Sequence, residues 1–282
     1  MGKLDIRISD SAGFCWGVER ALEVARQAAE EADGPIYTLG PLIHNPGVIA
    51  ELEDQGIGVL RDPSEANAGT VILRSHGVPR EAREELERRS VTVLDATCRF
   101  VKSAQEKAAG LRTMGYLVVI LGEREHPEVL ALRSYAGADS LVVEKPGDLP
   151  PQLPNPRVGV VVQTTQSQER LADLAAHLAP RTKELLIYNT ICSATEQRQQ
   201  AAIAMAQQVD VVIVVGGRNS GNTRRLAELC SEAQGRTYHV ESAAEIDPRW
   251  FGGAKVVGIT AGASTPPDQI EAVVSRLKEI DT

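Results

Sequence analysis

The stretch VLDATCRF, residues 93–100, sets a cysteine where an apolar strand gives way to a helix. Val93 and Leu94 suit the end of a buried strand, and Asp95 and Thr97 are residue types that cap helices. The helical pattern VKSAQEKAAGLRTMG starts just beyond Cys98. Two other cysteines open similar patterns: CWGVERALEVARQAAEEA at Cys15 and CSATEQRQQAAIAMAQQV at Cys192. After each comes a strand ending in glycine (PIYTLG, YLVVILG, DVVIVVGG), then a polar turn that opens a second helix (PLIHNPGVIAELEDQ, EREHPEVLALRSY, RNSGNTRRLAELCSEA). The polar residues fall in register: His44 lies 29 residues after Cys15, while His126 and Ser220 lie 28 after Cys98 and Cys192.

The register continues. A weaker strand and an acidic or proline-containing loop follow in each copy: GVLRDPSEA, LVVEKPGDLP and TYHVESAAEIDP. Another apolar strand then ends in small polar residues: VILRSHG, VGVVVQTTQ and VVGITAGAS. A last helix leads to a strand that delivers the next cysteine, SVTVLDATC or KELLIYNTIC. The third copy stops before that strand, and its counterpart, KLDIRISDSAGFC, stands at the start of the chain. The expected division is therefore 15–97, 98–191 and 192–282, the last completed by the N-terminal strand in 1–14. A period this long indicates domain triplication rather than a solenoid. Strands alternating with helices predict an α/β fold: three similar units with parallel sheets, in a pseudo-threefold arrangement around a central cavity.

Bulk properties narrow the function. The 282 residues carry 30 Lys and Arg against 38 Asp and Glu, a net charge of −8, which opposes nonspecific binding to nucleic acid or anionic membrane. No apolar run approaches the roughly 20 residues that span a bilayer, and the first residues lack a secretory apolar core. The reading is a cytoplasmic protein. Four cysteines without a Cys-x-x-Cys pair exclude a disulfide scaffold and the local zinc-finger and thioredoxin patterns.

In open parallel sheets, ligands gather beyond the carboxyl ends of strands, against helix N-termini whose partial positive charge favours thiolates and anions. Cys15, Cys98 and Cys192 all fall at such ends, as do His44, His76, His126, Thr164, Ser220 and Ser264. Three thiolates around one point need a metal to neutralise them. Zinc with three cysteines and a histidine is one solution. A [4Fe-4S] cluster, which takes thiolates from distant segments, is another. With three cysteine ligands one iron stays open and can act as a Lewis acid. Cys230 shares an apolar helical face with Leu226 and Leu229 and reads as core. His177 and His239 match no repeat position and read as structural or exposed.

The blocks GFCWGVERAL, GPLIHNPGVI, RSHGVP, VLDATC, EHPEV, QTTQS, NTICSATEQRQ, GGRNSGNTRRLAEL and TAGAS, in this order over almost the whole chain, resemble the LytB/IspH family of 4-hydroxy-3-methylbut-2-enyl diphosphate reductases. The resemblance implies an iron–sulfur oxidoreductase. It would catalyse the last step of the methylerythritol phosphate route to isoprenoids, reductive dehydroxylation to isopentenyl and dimethylallyl diphosphates. It implies Cys15, Cys98 and Cys192 as ligands of a [4Fe-4S] cluster with one open iron. Glu128 would be the acid, His126 would help deliver protons, and Thr164 would contact the substrate hydroxyl and the acid. His44, His76, Ser220, Gly221, Asn222 and Ser264, with His126, would bind the diphosphate. The electron donor would be a ferredoxin or flavodoxin. Gly221 departs from the family pattern, which often has serine there; the backbone N–H remains, and the lost hydroxyl is worth about 0.5–1.5 kcal/mol. Other three-cysteine iron–sulfur enzymes, such as quinolinate synthase or a hydratase, are the alternative among enzymes. A triplicated anion-binding module holding zinc or a sensor cluster is the alternative outside them.

Overall fold

A computed structural model describes residues 3–280; the expected terminal pieces at 1–2 and 281–282 lie outside the described residues. Contacts divide the chain into two compact units. One comprises Met1–Trp16, His44–Val48 and Ser193–Thr282; the other comprises Gly17–Ile43 and Ile49–Cys192.

Twelve strands and nine α-helices occur among the described residues. In chain order they are β1 (Asp5–Ile8), α1 (Trp16–Glu31), β2 (Ile36–Leu39), α2 (Pro46–Asp54), β3 (Ile57–Leu60), β4 (Thr70–Leu73), α3 (Arg80–Glu87) and β5 (Thr92–Asp95). Then come α4 (Arg99–Thr113), β6 (Leu117–Leu121), α5 (Pro127–Ala136), β7 (Leu141–Val143), β8 (Arg157–Val162), α6 (Gln168–Leu178) and β9 (Glu184–Tyr188). The last are α7 (Ser193–Ala206), β10 (Val211–Val215), α8 (Gly221–Ala233), β11 (Thr237–Val240), β12 (Val256–Ala261) and α9 (Pro267–Lys278).

The strands form three parallel four-stranded sheets, ordered β3-β2-β4-β5, β7-β6-β8-β9 and β11-β10-β12-β1. The order is the same each time. The α/β class with three similar units is therefore as expected from the sequence. The N-terminal β1 pairs with β12, Ile6 opposite Val257, and occupies the edge that β5 and β9 hold in the other sheets.

Alternation builds the cores. In β10, Val211, Ile213 and Val215 face one cluster with α9 residues Ile270, Val273 and Leu277, while Val212 and Val214 face another with Ala202, Ala206, Leu226 and Cys230. In β6, Leu117, Val119 and Leu121 meet Leu171, Leu174 and Leu178 of α6; Val118 and Ile120 meet Ala104, Ala108 and Leu111 of α4. Both central strands are thus buried on both faces, which is why they read as unbroken apolar runs. Small residues on α4 bring that helix close to the sheet. At Gly159 in β8 the approach is tightest: a Cβ would lie 2.5–2.9 Å from three atoms of Leu111.

The edge strands β3, β7 and β11 are each followed by a 3₁₀ turn (Pro63–Glu65, Pro146–Asp148, Ala243–Glu245), the counterpart of the acidic loops in the repeat.

Gly159→Ala is expected to destabilise the fold by about 1–3 kcal/mol through overpacking. Adding Leu111→Ala should make the pair of changes less costly than the sum of the two alone. Urea denaturation of the three variants measures this; strict additivity would contradict the close packing of α4 on β8.

Candidate active site

In the unit containing residues 49–192, the site begins at the end of β8. Gln163 and Thr164 follow the strand, and both are buried. Across from them α5 starts at Pro127 with His126 as its N-cap; the His126 Nδ1 accepts from the Glu128 N–H at 3.1 Å. An accepting Nδ1 puts the proton of the neutral ring on Nε2. His76, at the end of β4, stands edge-on to His126 with ring centroids 5.8 Å apart.

Glu128 is 1% exposed. Its Oε1 accepts from the Thr164 N–H at 2.7 Å and its Oε2 from the Thr164 hydroxyl at 2.9 Å. Burial pushes the carboxyl up to about 7; the two Thr164 bonds pull the other way, and the negative charge of Glu123 adds to the rise. The Thr164 carbonyl accepts from the Cys192 N–H at 3.0 Å. An acid that titrates near neutrality is therefore one residue from the loop that carries a cysteine.

Cys98 is anchored alike, its N–H donating to Ser75 O at 3.0 Å beside His76. Here the sequence expectation needs correction. Cys98 is itself the N-cap of α4, with no side-chain cap bond. Asp95 accepts instead from the Thr97 N–H at 2.9 Å and pairs with Lys102 at 2.8 Å and Arg83 at 3.1 Å. Cys98 is half-buried.

In the other unit, Cys15 donates its N–H to Ala263 O at 3.1 Å. Ser264 donates through its hydroxyl to His44 O at 3.0 Å. Asn45 donates to Ser264 O at 2.9 Å and to Gln269 Oε1 at 3.1 Å, while its Oδ1 caps α2 by accepting from the Val48 N–H at 3.2 Å. The caps of the second helices are thus Asn45, His126 and Ser220, so the first copy is offset by one from the register that aligned His44. Ser220 accepts from the Thr223 N–H at 3.3 Å, and Gly221 opens α8. Asn222 is 4% exposed, and neither atom of its amide has a hydrogen-bond partner among the described residues. Its two donors and its acceptor oxygen are therefore open to a polar partner.

Sequence reasoning did not single out Asn45, Gln163 or Arg198. Gln163 accepts from the Glu123 N–H at 2.9 Å and so shapes the turn before His126. Asn45 carried a local signal, Asn before Pro at a helix start; Gln163 carried none. The bland readings elsewhere are correct. Cys230 is fully buried, its thiol pushed up to about 12 by desolvation. His177 is exposed beside Asp173, 3.2 Å away, and His239 Nε2 bonds Gly216 O at 2.8 Å.

Two open surface clefts, about 920 and 570 Å³, are lined respectively by residues such as Arg20, Thr70 and Asp95 and by Arg124, Lys145 and Asp173. Neither contains a cysteine or histidine, so the chemistry lies elsewhere. Among the described residues no three His, Cys, Asp or Glu side chains gather tightly enough for a single metal ion. Ligands of a cluster sit on different irons and stand wider apart, so this bears on a zinc cage more than on a cubane. No helix among the described residues is long and apolar enough to cross a membrane.

Fold and site define a parallel α/β protein with cysteines and a buried acid at the carboxyl ends of its strands. The LytB protein family model matches residues 6–278. The chain is 48% identical over 279 residues to the 4-hydroxy-3-methylbut-2-enyl diphosphate reductase of Trichlorobacter lovleyi, covering 99% of each. It is 45% identical over 280 residues to that of Aquifex aeolicus, covering 98% of this chain and 97% of the relative. A solved structure of the (E)-4-hydroxy-3-methyl-but-2-enyl diphosphate reductase, the terminal enzyme of the non-mevalonate pathway, aligns at 45% identity and TM-score 0.71, over 98% of this chain and all of that one. The Plasmodium falciparum reductase aligns at TM-score 0.90 and 24% identity, over 97% of this chain and 88% of that one, and speaks to the fold alone. The chain belongs to the LytB family.

Because the folded Glu128 binds its proton more tightly than the unfolded chain, its contribution to stability is present below pH 4.5 and falls away as pH rises to about 7. Glu128→Gln should therefore gain on the wild type by up to about 3 kcal/mol across that window. Denaturation midpoints from pH 4.5 to 8 check this; parallel curves would mean an unperturbed carboxyl.

Proposed function

We propose that this protein is a 4-hydroxy-3-methylbut-2-enyl diphosphate reductase. It takes two electrons and two protons to remove the substrate's allylic hydroxyl as water, yielding isopentenyl and dimethylallyl diphosphates. The observation that carries the reading is the Glu128–Thr164 pair: a carboxyl held near neutral pKa by burial and bonded twice to a residue whose carbonyl anchors Cys192. The family membership and the relatives' names support it.

The donor set fits an iron–sulfur cluster. Cys15, Cys98 and Cys192 recur once per repeat, each is half-buried, and each has its backbone N–H tied to the end of a neighbouring strand. They would hold a [4Fe-4S] cluster with one open iron. When bound, such a group supplies electrons one at a time and a Lewis-acid site for an oxygen. The division into repeats 15–97, 98–191 and 192–282 with 1–14 belongs to the same proposal, as do a ferredoxin or flavodoxin as electron donor and a cytoplasmic location.

The side chains do the rest. Glu128 holds the proton that leaves with the hydroxyl, since a carboxyl of pKa near 7 is both charged enough to be refilled and acidic enough to donate. Thr164 donates its own hydroxyl proton to Glu128, which leaves its oxygen lone pairs for the substrate hydroxyl. His126, with its proton on Nε2, helps refill the acid. The diphosphate is taken by His44, His76, His126, Ser220, Asn222 and Ser264, with the Gly221 N–H at the positive end of α8. Asn222 is suited to this because nothing else uses its amide.

Anaerobically purified protein is expected to reduce the hydroxylated allylic diphosphate with dithionite and a mediator; no turnover by an iron-replete sample would overturn the assignment. Glu128→Gln should keep iron and ligand binding while kcat falls about 10²–10⁴-fold. Cys98→Ser should lower iron content and abolish the cubane absorption; a full complement of iron in that variant would remove Cys98 from the ligands.

A further inference from the structure

The loop SDSAGFC, residues 9–15, carries the first cysteine out of β1. Its backbone is pinned at both ends: Ser9 N–H donates to Ile259 O at 2.8 Å and Cys15 N–H to Ala263 O at 3.1 Å. Between these, Ala12 N–H turns back to Ser9 O at 3.0 Å. Gly13 then adopts φ +99°, a conformation that L side chains rarely take, and a Cβ there would meet Ile270 Cδ1 at 3.3 Å. The turn aims the Gly13 carbonyl into the protein, where it accepts from Arg198 Nη2 at 2.7 Å.

Arg198 lies on α7, within two turns of its start at Ser193, and is 4% exposed. Its Nη1 also reaches Ala194 O of the same helix at 3.5 Å. A buried guanidinium stays charged at any working pH, so it must keep carbonyl acceptors, and its planar fork holds two of them in fixed directions. One acceptor belongs to a rigid helix and the other to the cysteine loop. The guanidinium therefore transfers the rigidity of α7 to a segment that has no regular structure of its own.

We propose that Arg198 is a positioning residue: by gripping the Gly13 carbonyl it fixes the direction in which Cys15 presents its thiol. The inference deepens the cluster reading above and rests on Cys15 being a ligand. It acts on Cys15 through two residues of backbone.

The four cysteines make the test internal. The full-length chain is stripped of iron anaerobically, treated with iodoacetamide, and the label at each cysteine is followed by mass spectrometry. Cys230, fully buried in the core, reports global unfolding. In Arg198→Gln and Arg198→Lys, Cys15 should label about tenfold faster, the effect of losing one charge-assisted hydrogen bond, while Cys98 and Cys192 change less than about twofold and Cys230 stays protected. An unchanged Cys15 rate with Cys230 protected overturns the proposal. So does exposure of Cys230 in both variants, because Arg198 would then support the whole core. In parallel, a chelator should extract iron faster from the variants as isolated than from the wild type. If the wild type holds no iron, the cluster reading fails, while the labelling result still decides the role of Arg198.

Discussion

Parallel pairing puts the carboxyl ends of all strands in a sheet on one edge, and the loops of the candidate site depend on that constraint. β4 and β5 end at His76 and Cys98, β8 and β9 at Thr164 and Cys192, and β12 and β1 at Ser264 and Cys15. Adjacent strands place their loops one strand spacing apart, so a backbone N–H of one loop can reach a carbonyl of the next. The same bond recurs three times: Cys98 to Ser75, Cys192 to Thr164, Cys15 to Ala263. In each case the cysteine is held through its main-chain N–H by the loop of the neighbouring strand.

The acid shows the cost of such placement. Desolvation raises the fully buried Glu128 carboxyl, two hydrogen bonds from Thr164 oppose the rise, and the net position is about 7. Burial is the larger effect, and the Thr164 bonds offset part of it. His126 contributes through geometry. By capping α5 with its ring it orients the helix start that carries Glu128 and commits its own proton to the other nitrogen.

Polar burial elsewhere divides into groups that serve the fold and groups left for something else. Asn45 and Arg198 use their side chains on carbonyls of other segments. The Asn222 amide has no such use. An unmet buried amide costs about 1–3 kcal/mol, which supports the proposal of Asn222 as a ligand contact.

Much was legible in the chain itself. Apolar runs at 117–121 and 211–215 marked strands, and they are unbroken because the structure buries both faces of each. Three cysteines in register marked the repeat, and with it the N-terminal strand as the completion of the third sheet; the strand order inside each sheet came only with the structure. Cys230 also read correctly as core, since it sits on an apolar helical stripe. Tertiary structure decided what depends on residues far apart in sequence. That Asn45, not His44, caps α2 while bonding Ser264, that Asp95 pairs with Arg83 and Lys102, that Thr164 bonds the buried Glu128 twice, and that Arg198 holds Gly13 all depend on how separate segments pack. Periodicity is a local property and records which face a residue turns inward; the partner it meets there is fixed only when distant segments pack and compete for the same few hydrogen bonds.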